Sequence, residues 1–113
     1  MRIVHICSES VPWAKTGGLA DVAGALTSYL AANGHEVTLI LPLYRSVRAA
    51  GFEPGPPVLE LVPAELGLPA SASIRPLEGP PGLRILLVDA PELFDRAGLY
   101  GDDSGDYPDN LLR

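Results

Sequence analysis

Two short apolar runs separated by one helix-length segment restrict this chain more than any other feature. They are "IVHIC", residues 3 to 7, and "EVTLILP", residues 36 to 42. Both are nearly continuous and rich in β-branched residues rather than alternating, the pattern of strands buried on both faces of a parallel sheet. Between them Leu19, Val22, Leu26, Tyr29 and Leu30 recur at helical spacing. They predict an amphipathic helix of about four turns with that stripe turned to a core. The pattern stops at "NGH", where Gly34 can take the left-handed conformation that ends a helix. Strand, helix, strand in about forty residues is a βαβ unit, and its crossover is expected to be right-handed.

Beyond Pro42, "LYRSVRAAG" suits one short helix. Residues 51 to 82 carry eight prolines among short apolar pieces, which predicts an irregular connection holding one or two strands. A third buried run, "LRILLVDAP", residues 83 to 91, brings the expected parallel strands to at least three. The tail "ELFDRAGLYGDDSGDYPDNLLR" supplies no closing helix or strand. An open parallel sheet ordinarily continues further, so the chain is expected to be cut inside a domain.

Composition narrows the function. With 113 residues, 47% of them hydrophobic, one domain with a modest core is expected. A net charge of -6 disfavours non-specific attraction to nucleic acid or to an anionic membrane surface. The single cysteine, Cys7, excludes an internal disulfide framework and leaves no cysteine-rich zinc pattern. No signal-peptide pattern opens the chain, and no apolar run approaches the roughly 18 to 20 residues needed to span a bilayer. A reducing cytoplasm is the expected location.

Ligands of open α/β sheets collect beyond the carboxyl ends of the strands, and residues 8 to 18 form the first such loop. The helix after it offers unpaired N–H groups and a partial positive charge, worth roughly 0.3 to 1 kcal/mol for a nearby anion. Gly17 and Gly18 remove Cβ atoms that would hold a ligand off that backbone. Lys15 is the only lysine among eight basic residues. It adds a compact cationic donor whose bond to an ionised oxygen contributes about 1.5 to 3 kcal/mol. The set suits a phosphate or a sugar joined to one, although a solvated lysine beside a tight turn would read the same way. Two phosphate motifs are excluded. A Walker A loop places its lysine after the last glycine, and a dinucleotide fingerprint needs G-x-G-x-x-G with an acid ending the second strand, where this chain has "GGLADVAG" and "ILPLY".

The stretch "HICSESVPWAKTGGLADVAGAL" resembles the N-terminal signature of bacterial glycogen synthases and plant starch synthases. "GHEVTLILPLY", "LLVDAPELFDRAGLYG" and "DYPDN" follow in the family's order. The resemblance implies an α/β fold, a Rossmann-like parallel sheet with flanking helices. Residues 1–113 would be the N-terminal part of the first domain of a two-domain GT-B glycosyltransferase, with the second domain absent from this chain. It implies transfer of glucose from ADP-glucose to the non-reducing end of an α-1,4-glucan such as glycogen or a maltooligosaccharide. Anomeric configuration would be retained, with no cofactor and no obligatory metal. Lys15, Gly17 and Gly18 would approach the donor's diphosphate and glucose, Asp21 would be the catalytic candidate beside the sugar, and Tyr100 would border the glucan or sugar site. The family's N-domain histidine motif and its second-domain basic residues and glutamate find no counterpart here, so these residues alone are expected to be catalytically silent.

Several residues carry a simpler reading. Asp21 lies in the first helical turn, where the dipole favours a carboxylate with or without a sugar. His5 and His35 read as structural. Ser8 and Glu9 either line the pocket or satisfy loop amides, and Trp13 either shapes the pocket wall or covers a core edge. Cys7 reads as a small buried group rather than a reactive thiol. Asp102, Asp103, Asp106 and Asp109 lack EF-hand spacing and read as a solvated turn. The alternative to an enzyme part is a truncated, non-catalytic module that binds glucan or nucleotide-sugar, and a third reading is a related glycosyltransferase with another donor.

Overall fold

The computed structural model describes residues 1–67 and 71–113. Its centre is a five-stranded sheet in the order β1-β2-β5-β4-β3. These are β1 (Arg2–Ile6), β2 (Glu36–Pro42), β3 (Leu59–Leu61), β4 (Ala72–Leu77) and β5 (Leu83–Asp89). The three strands expected from the apolar runs are parallel neighbours. The proline-rich stretch supplies the other two strands, both antiparallel, and residues 68–70 of that stretch lie outside the described residues. The expected Rossmann-like arrangement is therefore present as a mixed sheet with flanking helices.

Register places the core. Val37, Leu39 and Leu41 pair with Leu83, Ile85 and Leu87, so these six side chains share one face of the sheet. All six are buried, with Leu39, Ile85 and Leu87 at 0% exposure. Complete burial of such a side chain stabilises by about 1.5 to 3 kcal/mol. The opposite face carries Val4 paired with Thr38 and Ile6 paired with Ile40. Here the described residues depart from the sequence reading: among them β1 lies at the edge of the sheet, and Val4 and Ile6 are 63% and 74% exposed. The nearly continuous apolar run signals two apolar faces, yet among the described residues only one of them is covered.

Helix α1 (Gly18–Ala32) follows β1. It ends as expected at Gly34, whose φ is 83°. The Gly34 N–H donates to Ala31 and the His35 N–H to Leu30, the paired bonds of a Schellman ending. Its buried side is not the predicted one. Ala20, Ala23, Gly24 and Thr27 are buried, whereas Leu19, Val22, Leu26 and Tyr29 are exposed; of the predicted stripe only Leu30 packs against the core. Small residues bring the helix close to what lies beneath it. A Cβ on Gly24 would stand 2.9 Å from the Val11 carbonyl oxygen, and the Val11 N–H donates to Ala20 O at 3.1 Å. The Thr27 hydroxyl is satisfied by Ala23 O at 2.8 Å. The short helix expected after Pro42 is α2 (Arg45–Ala49). Then come α3 (Pro63–Leu66), α4 (Pro91–Phe94) and a small hairpin of β6 (Gly101–Asp102) and β7 (Gly105–Asp106).

Candidate functional site

The loop between β1 and α1 is tied at several points. Ser10 O accepts from the N–H groups of Trp13 and Ala14, and Trp13 is buried in the core, which settles its role as core cover. Glu9, 3% exposed, accepts on Oε2 from the Thr16 amide and the Thr16 hydroxyl, each at 2.7 Å. It therefore satisfies a loop amide. Beyond Thr16 the chain enters α1 through Gly17 in extended backbone, and no side chain caps the helix start. Its first N–H groups are thus left for solvent or a ligand.

Lys15 and Asp21 meet at that helix start. Lys15 Nζ donates to both carboxylate oxygens of Asp21, at 2.8 and 2.7 Å. Both side chains are about half exposed, at 50% and 56%. An ion pair so exposed contributes about 0 to 1 kcal/mol. The glycines beside it are demanded by nothing in the described fold. Neither Gly17 nor Gly18 has positive φ, and a Cβ on either would meet nothing within 4 Å. Their absent side chains leave open space in front of the uncapped helix.

A crevice of about 780 Å³ lies at the carboxyl ends of the parallel strands, bordered by Ser8, Pro42, Tyr44, Tyr100 and Asn110 among others. Tyr100 belongs to this wall. Its hydroxyl donates to Ser8 Oγ at 2.8 Å, and Asn110 holds its backbone by donating to Tyr100 O at 2.7 Å. The Tyr44 hydroxyl donates to Ser8 O at 2.8 Å, and burial pushes its phenol pKa up, which keeps it a donor. Cys7, half-buried nearby, has its thiol pushed up chiefly by burial, which favours the unreactive thiol over the nucleophilic thiolate.

The structure therefore gathers Lys15, Gly17, Gly18 and Asp21 at the start of α1 and sets Tyr100 on the wall of the crevice, whose lining includes none of those four residues. Ser8 and Glu9 join the two parts. Pattern reading left Ser8 and Glu9 open and missed Thr16 and Tyr44. Thr16 was detectable as the polar residue flanked by Lys15 and Gly17, whereas Tyr44 depends on a contact 36 positions away. Asp102 accepts from the Ser104 amide and hydroxyl, and Asp109 pairs with Arg96. Among the described residues no group of three or more His, Cys, Asp or Glu is placed to hold a metal, and no helix is long and apolar enough to cross a membrane.

The family model for the starch synthase catalytic domain matches residues 2–113. The chain belongs to this family. It is 44% identical over 115 residues to glycogen synthase of Dechloromonas aromatica (strain RCB), covering 100% of this chain and 23% of that protein. Against glycogen synthase of Paracoccus denitrificans (strain Pd 1222) the identity is 46% over 115 residues, with 99% and 23% covered. Among solved structures, the catalytic domain of starch synthase IV from Arabidopsis thaliana, bound to ADP and acarbose, matches with a TM-score of 0.64 and 27% identity. That match covers 91% of this chain and 22% of the other. The chain thus spans about a quarter of the length of its starch synthase family relatives.

Proposed function

We propose that the protein carrying these residues transfers glucose from ADP-glucose to the non-reducing end of an α-1,4-glucan, with retention of configuration, in the cytoplasm. Residues 1–113 are, in this reading, the N-terminal part of the first of two domains. They supply the donor loop and part of the acceptor wall; alone they are catalytically silent. The observation that carries the reading is the uncapped start of α1, where Gly17 and Gly18 leave open space beside the only lysine. The names of the relatives and the ADP and acarbose of the Arabidopsis structure support the same donor and acceptor classes.

The energetics of the loop fit an exchange. The Lys15–Asp21 pair is worth about 1 kcal/mol at most. A charge-assisted bond from Lys15 to a diphosphate oxygen contributes about 1.5 to 3 kcal/mol, and the helix dipole adds roughly 0.3 to 1. An arriving diphosphate therefore draws Lys15 from Asp21, leaving Asp21 beside the sugar as the candidate catalytic carboxylate. As the glycosidic bond to the donor breaks, negative charge grows on the departing ADP. In this reading Lys15 and the backbone N–H groups at Gly17 and Gly18 are the groups that meet that charge. Tyr100, held by Ser8 and Asn110, offers an aromatic border for the sugar or glucan.

The test is Lys15→Ala in the full-length protein, with initial rates measured against ADP-glucose and glucan. Turnover is expected to fall about ten- to a hundredfold, as for loss of one transition-state charge contact. Unchanged turnover would remove the donor-loop reading.

A further inference from the structure

Glu9 poses a problem that the donor loop alone does not solve. A carboxylate withdrawn almost entirely from water is costly unless its bonds replace hydration. A negative charge beside a loop that gathers phosphate is also of the wrong sign for binding. Its two bonds explain its presence. Both come from Thr16 and converge on Oε2, at 2.7 Å each. Thr16 is the residue between Lys15 and Gly17, so one buried anchor fixes the segment from which the lysine and the helix start both extend. Bonds from an amide and a hydroxyl to an ionised oxygen are about twice as strong as their neutral counterparts.

The anchor is itself held. The preceding residue, Ser8, is bonded through its carbonyl to Tyr44 and through its hydroxyl to Tyr100. Hydrogen bonds from the crevice wall thus hold Ser8, and the covalently adjoining Glu9 holds Thr16. We infer that Glu9 is a positioning residue for the donor loop: acting through Thr16, it holds Lys15 and the start of α1 in the register that receives the donor's diphosphate. This rests on the reading of that loop as a nucleotide-sugar site. It makes Glu9 a residue that shapes donor use while touching no substrate.

The experiment is a double-mutant cycle in the full-length protein between Lys15→Ala and Glu9→Ala, with kcat and KM determined separately for ADP-glucose and glucan. Misplacing a charge contact by about 1 Å costs on the order of a hundredfold in rate. Glu9→Ala is accordingly expected to lower kcat/KM for ADP-glucose by about ten- to a hundredfold, with the glucan KM within about twofold of its starting value. Glu9→Gln keeps an oxygen that accepts both Thr16 bonds and is expected to recover most of the loss. In the Lys15→Ala background Glu9→Ala should cost little more, because the group it positions is gone. Where Glu9→Ala does not yield folded protein, Thr16→Val removes the hydroxyl bond, keeps the carboxylate and enters the same cycle.

Additive losses from the two sites would overturn the inference. So would equal changes in both KM values, or a loss that Glu9→Gln fails to recover. A Lys15→Ala variant with unaltered ADP-glucose kinetics would instead overturn the donor-loop reading, and the two failures are told apart by that single variant.

Discussion

Replacing Gly24 by alanine opposes two effects of known sign within one helix. In an exposed helix interior, Gly→Ala stabilises by about 0.8 to 1 kcal/mol through backbone entropy. Gly24 is buried, and its new Cβ would meet Val11 Cγ2 at 2.5 Å and the Val11 carbonyl oxygen at 2.9 Å. The valine side chain can rotate away, but the carbonyl moves only if the loop moves. Overpacking of this kind costs about 1 to 3 kcal/mol. Displacing the loop also endangers the Val11–Ala20 backbone bond, worth about 0.5 to 1.5 kcal/mol net. The net expectation is destabilisation by about 0.5 to 3.5 kcal/mol, read as a lower urea midpoint at unchanged slope. If the proposed donor-loop role holds, the KM for ADP-glucose of the full-length protein should rise as well, because Val11 lies in the loop that leads to Lys15. Ala25→Gly, on the exposed side of the same helix, calibrates the propensity term. A Gly24→Ala protein more stable than its parent would refute the reasoning, since it would mean that the loop yields without cost and the close approach is incidental.

Two further outcomes are expected. Leu39→Ala, at a position with 0% exposure, should cost about 2 to 5 kcal/mol through lost burial and a residual cavity; a cost below 1 kcal/mol in urea denaturation would contradict the placement of the core. Asp109 is held below the ordinary carboxylate range, chiefly by its hydrogen bond from Arg96. A lowered folded-state value means that the unfolded chain binds more protons at acid pH. The contribution is therefore complete above the unfolded value of about 4 and is lost as pH falls through the lower folded one. The stability gap between the parent and Asp109→Asn should narrow below about pH 4, and a gap constant from neutral to pH 3 would count against it.

The sequence was legible where one local rule sufficed. The runs at residues 36 to 42 and 83 to 89 are strands at the core, and Gly34 ends α1 because its positive φ suits a residue without Cβ. The motif "KTGGLADV" runs from the end of the β1–α1 loop into α1, where Lys15 and Asp21 pair. Legibility failed where burial depends on closeness rather than apolarity. In α1, Ala20, Ala23, Gly24 and Thr27 admit the neighbouring loop and sheet, while the larger Leu19, Val22, Leu26 and Tyr29 stay outside. Hydropathy ranks the second group higher and so selects the wrong side. Val4 and Ile6 failed for a related reason, since an apolar run states what a strand could bury and not whether anything covers it. The Ser8–Tyr100 and Glu9–Thr16 contacts have no periodic signature, because they join loop residues whose meeting the fold alone arranges.

The bond between Tyr100 and Ser8 spans 92 positions of the chain. Synthesis proceeds from the N-terminus, so Lys15 and its loop leave the ribosome long before the residue that braces their anchor exists. The local hairpin of β4 and β5 can close early, whereas contacts of such separation carry a large loop-closure cost and form late. The brace consequently forms later than the loop it steadies, and a nascent chain shorter than about a hundred residues should display the lysine without the brace.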